Sequence, residues 1–459
     1  MSIITLVVAL LLMSSVAYYA GQKRSLIVSR GRVRDLHSLP GYYGLYVALW
    51  CGLPALFVVG AWLAFEVDII TKLVVAGLPE IIIRQGPERV TLVVNEIQNI
   101  VSGRVYGEPD PAILSAAAHY RQLQATSHGT LIVLAVSMAV TASAYALSRI
   151  KPRHRARNAV ESTVKAMLLL SSTLAVLTTI GIVLSVLFES IRFFQVVPVT
   201  DFLFGLEWSP QTAIRAEQVG SSGAFGSVPL YAGTWLITLI AMLVAVPIGL
   251  MSAIYLSEYA NAEFRAVAKP LLEILAGIPT VVYGFFAALT VAPFIRDLGT
   301  QLGLSVASES ALAAGLVMGI MIIPFVSSLS DDVINAVPQA MRDGAYGMGA
   351  TRSETVRRVI IPAALPGIVG SILLAVSRAI GETMIVVMAA GLAANLTANP
   401  LEAVTTVTVQ IVTLLVGDQE FDSPKTLAAF ALGLALFLFT LVLNVIALYI
   451  VRKYREQYE

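Results

Sequence analysis

Two charged side chains stand four residues apart inside an otherwise apolar stretch of the sequence, LLAVSRAIGETMIVVMAAG (373–391). Between Leu365 and Gly391, Arg378 and Glu382 are the only charged residues. An arginine near the centre of a bilayer costs about 2.5–3.5 kcal/mol on insertion scales, and such residues usually face a bundle interior or an aqueous path. In a continuous helix this spacing would place both side chains on one face, where they could pair.

We expect this pair to be functional, because apolar residues would serve stability alone at a lower cost. Arg378 is permanently protonated and can bind two oxygens of an oxyanion at once, so it suits a path for an anionic substrate. Glu382 could hold the arginine when no anion is present. The alternative is a static pair that orients two helices.

Three other acidic residues lie at the predicted ends of apolar segments. Glu273 follows AKPLL at the start of a predicted span, which makes it a further candidate for the substrate path. The alternative for Glu273 is a solvated carboxylate that is favoured by the dipole at a helix N-terminus. Asp331 and Asp332 close another predicted span, and we expect both to be solvated.

The sequence contains no pattern that is typical of a catalytic or metal site. It has no G-x-x-x-x-G-K-[ST] loop, no H-E-x-x-H and no G-x-S-x-G. Its one cysteine, Cys51, excludes an intrachain disulfide, and four scattered histidines offer no Cys/His zinc spacing. We therefore expect no catalytic residue, no metal, no cofactor and no ATP hydrolysis by the chain alone.

The elements that carry the charged residues are predicted to be membrane helices. Of 459 residues, 57% are hydrophobic and only 13% are charged, whereas a soluble domain has about 25% charged residues. Several apolar runs exceed the roughly 18–20 residues that cross a bilayer as a helix. The composition therefore predicts an all-α polytopic membrane protein.

Hydropathy and length predict about nine transmembrane helices, at residues 2–20, 43–64, 129–149, 163–188, 231–257, 271–295, 309–330, 364–391 and 426–451. Basic segments follow the first, third, seventh and ninth of these spans. The positive-inside rule places all four segments in the cytoplasm, with the N-terminus outside and the C-terminus in the cytoplasm.

The predicted spans divide the chain at a basic linker. We predict two N-terminal transmembrane helices in 1–64 and an extracytoplasmic segment in 65–128. A third helix and the basic cytoplasmic linker follow in 129–158, and a six-helix domain occupies 159–459.

The segment between the seventh and eighth spans is long and regularly patterned. PQAMRDGAYGMGA predicts a short helix followed by a tight turn at Gly349. TRSETVRRVIIP predicts a second helix that Thr351 or Ser353 caps and Pro362 closes. Small residues on the first helix favour a surface that fits a groove on another protein.

This segment resembles the EAA signature of permease subunits of bacterial ABC importers, which reads Glu-Ala-Ala, three residues, Gly, nine residues, then Ile-x-Leu-Pro. The matching positions here are Asp343, Gly344, Ala345, Gly349, Val359, Ile361 and Pro362. The spacing matches throughout, although Gly344 stands where the family has alanine. The resemblance implies a coupling loop at 331–363 that docks on an ATPase, and a type I importer permease fold for the six-helix domain.

Three further stretches resemble the permease subunits of phosphate ABC importers. They are PVTDFLFGLEWSPQ (198–211), YLSEYANAEFRAVAKPLLEILAGIPTVVYGFFA (255–287) and SRAIGETMIVVMAAG (377–391). The GETM wording is closer to the PstC type than to its PstA-type partner. The resemblance covers about 160–459, and the first 150 residues resemble the N-terminal extension of longer members.

The resemblance implies the permease subunit of an ATP-driven phosphate importer in the bacterial inner membrane. The implied partners are a second, PstA-like permease, two copies of an ATP-binding subunit and a periplasmic phosphate-binding protein. The lipid bilayer surrounds the chain, and no nucleic acid is involved. Because the family also has an arginine and a glutamate in the 377–391 stretch, the resemblance supports Arg378 and Glu382 as substrate-path residues.

Three alternatives stay open from the residues themselves. The cargo could be sulfate, molybdate or another oxyanion, because Arg378 alone does not discriminate among these. An ion-coupled secondary transporter or channel would need no ATPase, and it would leave the EAA spacing unexplained. A non-transporting scaffold or sensor would act through the 65–128 segment.

Overall fold

The computed structural model describes residues 3–79, 86–104, 110–212, 222–416 and 423–454. The chain forms two compact units, Met1–Leu177 and Thr178–Glu459. One long helix, α5 (Ala156–Val196), runs through the boundary between these two units.

The first unit is built from long helices. Its elements are α1 (Ile3–Val28), a short 3₁₀ turn (Val33–Asp35), α2 (Pro40–Ala76), α3 (Pro87–Val101), α4 (Pro111–Arg149) and the start of α5. Helix α2 packs against both α1 and α4. Leu6 and Leu10 of α1, Val47 of α2 and Leu131 of α4 are buried in the shared apolar core.

A polar network lies between α2 and α4. The indole N–H of Trp62 donates to the Ser127 hydroxyl at 2.9 Å, and that hydroxyl donates to Glu66 Oε1 at 2.6 Å. His128 Nε2 lies 3.4 Å from the same carboxylate oxygen. The nearly buried Glu66 carboxylate therefore has polar partners, as a buried charge requires.

The second unit contains further helices and one hairpin. Its elements are the rest of α5, α6 (Val199–Phe204), β1 (Trp208–Thr212), β2 (Ser222–Phe225), α7 (Val228–Ile254), α8 (Ala262–Ala276), α9 (Thr280–Phe286), α10 (Ala292–Gln301), α11 (Ala311–Asn335), α12 (Gln339–Gly347), α13 (Arg352–Thr355), α14 (Ile361–Ile380), α15 (Met384–Ala389), α16 (Val407–Leu415) and α17 (Pro424–Tyr454). Single π-helical turns follow α7, α9 and α13, at Tyr255–Tyr259, Ala287–Val291 and Val356–Ile360. The two strands pair antiparallel, with Trp208 opposite Phe225.

Helices α7 and α11 pack closely along their lengths. Gly315 and Gly319 of α11 follow the G-x-x-x-G spacing that lets membrane helices approach. A Cβ atom at Gly315 would lie 2.7 Å from the Ile240 Cβ, and one at Gly319 would lie 2.9 Å from the Ala241 carbonyl oxygen. Larger residues would therefore separate the two helices at the core of this unit.

The sequence-based prediction of fold class is confirmed, because the described residues contain nine helices that are long and apolar enough to cross a membrane. Several predicted spans have different ends, and two of these differences move candidate residues out of a span. The sixth begins at Thr280 rather than at 271, because Gly277 and Pro279 separate it from α8. The eighth ends at Ile380 rather than at 391, because the helix breaks at Gly381.

Helix α8 is attached to α11 by a buried carboxylate. Asp331 is almost fully buried and accepts from Arg265 at 3.1 Å and from Lys269 at 2.8 Å. The hydrogen bond from Lys269 to Asp331 raises the pKa of the lysine, and partial burial opposes that shift. The expectation that Asp331 is solvated was wrong, because α11 continues to Asn335 and keeps this residue inside the packed unit.

We predict that Asp331→Asn lowers the thermal unfolding midpoint of the detergent-solubilised protein. The substitution weakens two charge-assisted hydrogen bonds, which are worth about 1.5–3 kcal/mol each. Asp332→Asn is the matched control, because its side chain is 66% exposed and its nearest cation is 3.6 Å away. Equal midpoints for the two variants, measured by intrinsic fluorescence, would contradict this role of Asp331.

Candidate functional site

The segment that resembles the EAA signature (331–363, here called the EAA-like loop) folds into two short helices joined by a tight turn. Helix α12 begins after Pro338 and ends at Gly347. Gly349 has a φ of +85°, a conformation that residues with a Cβ adopt at a cost. Thr351 caps α13, because its hydroxyl accepts the Glu354 N–H and the Glu354 carboxylate accepts the Thr351 N–H.

The sequence pattern predicted that Pro362 closes the second helix, and this prediction was wrong. Pro362 is the second residue of α14 and lies two positions after the π-helical turn Val356–Ile360. A π-helical turn joins α13 to α14, so the helix continues from Arg352 to Ile380. The EAA-like loop is therefore attached directly to the eighth span.

Helix α12 and the turn after it present an open surface. Gly344, Gly347 and Gly349 have no atoms within 4 Å of where a Cβ would stand. Met348 is 90% exposed, and Tyr346 is exposed beside it. This combination of bare backbone with one protruding apolar side chain suits insertion into a complementary groove.

The other residues of the EAA pattern divide between this surface and the packed side of the loop. Asp343 is exposed and accepts a hydrogen bond from the Gln339 side chain at 3.0 Å. Ala345, Val359 and Ile361 are half-buried. The pattern therefore combines residues that stay accessible with residues that fix the loop in place.

A buried arginine anchors α12 to two membrane helices. Arg342 Nη2 donates to Glu258 Oε1 at 2.9 Å and to the Ile334 carbonyl oxygen at 2.8 Å. Its Nη1 donates to the Val337 carbonyl oxygen. Because Glu258 lies in the π-helical turn Tyr255–Tyr259 and Ile334 near the end of α11, the loop helix is joined to the ends of α7 and α11.

The sequence had not singled out Arg342 or Glu258 as functional residues. Arg342 counted only toward the basic charge of its loop, and Glu258 lies 84 positions earlier. Both are now among the few buried charges of the described residues. A basic residue directly before the EAA pattern was the one local signal, and it does not identify a partner.

Arg378 lies two residues before the end of α14, and its guanidinium stands 5.5 Å from the centre of the Phe325 ring on α11. The side chain is exposed in this chain. No carboxylate among the described residues lies within 4.0 Å of its guanidinium. A guanidinium that is stacked on a ring keeps its in-plane N–H donors free for the oxygens of an oxyanion.

The predicted pairing of Arg378 with Glu382 is corrected by the structure. The helix ends at Ile380, and Gly381 turns the chain, so the two side chains do not share a continuous helix face. Glu382 instead accepts the backbone N–H groups of Met384 at 3.0 Å and Ile385 at 3.4 Å. Its carboxylate therefore stabilises the start of α15.

Side chains of α16 also form hydrogen bonds that hold the segment around Glu382. The Thr408 hydroxyl donates to the Glu382 carbonyl oxygen at 2.9 Å. Two residues further on, Gln410 accepts from the Trp208 indole at 3.0 Å and donates to the Leu392 carbonyl oxygen at 3.1 Å. These contacts fix the break between α14 and α15 against the helix that follows and the β-hairpin.

Glu273 lies in the last turn of α8 and not at the start of a span. Its side chain is exposed beside a small cavity that Lys269, Ser327 and Asp331 also line. The proposed stabilisation by a helix N-terminus is therefore wrong for this residue. Among the described contacts, no hydrogen bond or ion pair joins Glu273 to Arg378.

Two family models match separate parts of the chain. Residues 7–178 match a model described as "Phosphate ATP-binding cassette transporter". Residues 245–456 match a model described as "Binding-protein-dependent transport system inner membrane component". The second match contains the EAA-like loop, Arg378 and Glu382.

Curated relatives agree with these matches. YqgH of Bacillus subtilis, described as a probable ABC transporter permease protein, is 31% identical over 288 residues, which cover 61% of this chain and 87% of that protein. The phosphate transport system permease protein PstC of Mesorhizobium japonicum is 34% identical over 270 residues. That alignment covers 55% of this chain and 78% of the relative.

A solved structure is more distant in sequence. A bacterial ABC transporter involved in the import of the acidic polysaccharide alginate matches at 14% identity and a TM-score of 0.45, over 64% of this chain and 99% of that chain. The family of this chain is therefore decided by the curated relatives and the family models. Both confirm the resemblance to permease subunits of phosphate ABC importers that was found in the sequence. On those grounds, this chain belongs to the family of PstC-type permease subunits of phosphate ABC transporters.

Proposed function

We propose that this chain is the transmembrane permease subunit of an ATP-driven phosphate importer. It forms half of the translocation pathway and couples to a separate ATPase. The observation that carries the proposal is the EAA-like loop, an exposed helix joined to the ends of two membrane helices. The names of the PstC relatives support phosphate as the cargo.

Coupling requires that a displacement of the exposed helix α12 is transmitted to the membrane helices. The open surface around Met348 is where the ATPase docks in our proposal. Arg342 then carries the displacement to α7 through Glu258 and to α11 through the Ile334 carbonyl. Because the anchor is buried and the helices it joins pack closely, the loop moves with them and does not bend alone.

Arg378 is the proposed anion-binding residue of the pathway. Its guanidinium carries a permanent charge and has no acidic partner among the described residues. Phosphate can therefore bind without first breaking an ion pair. Glu382 positions this region by capping α15, and Glu273 is proposed to line the path near the ion pairs of α8.

The proposal includes partners and orientation. A second, PstA-like permease completes the pathway, two copies of an ATP-binding subunit dock on the cytoplasmic side, and a periplasmic phosphate-binding protein delivers substrate. The N-terminus lies outside and the C-terminus in the cytoplasm, so 65–128 is extracytoplasmic and the 129–158 linker is cytoplasmic. The permease domain proper is 159–459, and this subunit has no catalytic residue of its own.

The test is uptake of labelled phosphate into liposomes that contain the chain co-assembled with its partner subunits. We expect uptake that requires ATP and is not matched by sulfate or molybdate. Uptake without ATP would indicate a secondary carrier. ATP-driven uptake of sulfate or molybdate alone would keep the coupling mechanism and change the cargo.

In the same liposomes, Arg378→Gln should reduce phosphate uptake at least tenfold while the complex still assembles. The reason is the loss of the charge that binds the oxyanion, for which charge-assisted hydrogen bonds contribute about 1.5–3 kcal/mol. Arg296→Gln, at an exposed position of α10, is the charge-matched control. Unchanged uptake by the Arg378 variant would make this residue structural only.

Two substitutions of Gly349 test whether ATP-dependent uptake depends on the positive φ of this turn or only on the presence of a side chain. Gly349→Val forces a β-branched residue to positive φ and should reduce ATP-dependent uptake at least fivefold, because strain of about 1–3 kcal/mol is relieved by moving the loop. Gly349→Asn tolerates this conformation better and should retain most uptake. Equal uptake by the two variants would show that the turn does not govern coupling.

Removal of the Arg342 anchor should be strongly destabilising. Arg342→Met leaves Glu258 buried without its partner, a change that typically costs about 3–5 kcal/mol. The double variant Arg342→Met, Glu258→Leu removes both charges and should recover much of the thermal stability without recovering ATP-dependent uptake. Recovery of both properties would mean that the ion pair serves stability and not coupling.

A further inference from the structure

The first unit gathers basic residues from two distant parts of the chain at one end. Residues 23–35 and 149–165 together contain eleven lysines and arginines and two acidic residues. The fold packs these segments together, because the His37 N–H donates to the Pro152 carbonyl oxygen at 2.9 Å and the Tyr43 hydroxyl donates to the His154 carbonyl oxygen at 2.9 Å. Like charges brought together repel, so this end of the unit favours anions.

Few of these cations have a partner within the described part of the chain. Arg157 pairs with Glu161 at 2.6 Å on the surface, and Arg149 lies 5.0 Å from the centre of the Tyr145 ring. Lys23 and Arg24 are exposed and make no hydrogen bond or ion pair among the described residues. Their charges remain available to a ligand.

Lys23 and Arg24 line a groove between α1 and α4 with a volume of about 380 Å³. The other lining residues are Ala20 and Ile27 of α1 and Leu147 and Ser148 of α4. The groove thus combines two cations and a hydroxyl with aliphatic walls. Its volume lies within the roughly 300–1,000 Å³ of small-molecule sites.

The groove lies at the level expected for lipid headgroups. The sequence from Ile3 to Gly21 contains no charged residue, and Lys23 is the next charged residue, after Gln22. At 1.5 Å per residue that length is roughly 28 Å, close to the thickness of the hydrocarbon core. On α4, the groove residues Leu147 and Ser148 directly precede the basic Arg149.

We propose that this groove binds the headgroup of an anionic phospholipid. The lipid phosphate contacts Lys23 and Arg24, and the acyl chains leave past Ala20 along α1 and α4. The Ser148 hydroxyl donates to the Tyr145 carbonyl oxygen at 2.7 Å and accepts from a hydroxyl of the headgroup. Basic pockets between membrane helices are suited to such headgroups. The aliphatic walls favour a lipid over inorganic phosphate, which has no apolar part to place against Ala20 and Leu147.

The site gives the first unit a role that does not depend on what the permease domain transports. A phospholipid held between α1 and α4 fixes the depth of this unit in the bilayer and offsets the repulsion among its basic residues. The prediction therefore needs no measurement of uptake.

The experiment measures lipid binding to the purified complex in mild non-ionic detergent by native mass spectrometry. Dioleoyl-phosphatidylglycerol is compared with dioleoyl-phosphatidylcholine, which has the same chains and no net charge. The wild type should bind phosphatidylglycerol preferentially. Lys23→Gln, Arg24→Gln should weaken the tightest site roughly 30-fold, which is about 2 kcal/mol and corresponds to about 1 kcal/mol for each lost cation.

Two control variants separate this site from general effects. Lys72→Gln, Arg89→Gln removes the same two residue types from exposed positions on α2 and α3, and it should bind as the wild type does. Lys23→Arg, Arg24→Lys keeps both charges and should retain binding, which excludes misfolding as the cause of a loss.

Three results would overturn the proposal. They are equal binding of the two lipids, an equal loss in both neutralised variants, and displacement of phosphatidylglycerol by millimolar inorganic phosphate. The last would identify the groove as a site for the free anion.

Discussion

The ion pair between Arg342 and Glu258 is the constraint on which the position of the EAA-like loop depends. Both side chains are buried, so bulk water stabilises neither charge, and each needs the other. The guanidinium also satisfies two carbonyl oxygens at the end of α11 and just after it. A short surface helix, which would be marginal by itself, is thereby held in one position relative to the membrane helices.

A second set of ion pairs holds α8 against α11, a helix that the Arg342 anchor also contacts. Asp331 stands between Arg265 and Lys269, and it lies only three residues before Ile334 along α11. Charges that would normally face water are used here to join helices. Since buried ion pairs tolerate little displacement, the end of α11 is expected to behave as one rigid junction with α7, α8 and α12.

The break after α14 separates two charged residues, whereas the ion pairs described above hold charged residues together. If the helix had continued through Gly381, Arg378 and Glu382 would have been neighbours on one face. The turn directs the Glu382 carboxylate to the N–H groups at the start of α15 and leaves Arg378 against the Phe325 ring. The interruption therefore leaves Arg378 without a carboxylate partner among the described residues, as the proposed oxyanion path requires.

The sequence by itself determined the features that depend on composition and local pattern. These are the membrane class, the number of apolar spans among the described residues and the turn at Gly349, because hydropathy and glycine conformation act within a few residues. The tertiary structure decided the partners of the charges. Arg342 pairs with a residue 84 positions away, Asp331 is buried by a neighbouring helix, and Glu382 caps a helix that begins beyond a break. A charged residue carries no local mark of its partner, because Coulomb attraction and desolvation depend on distances in space that only the packing of helices sets.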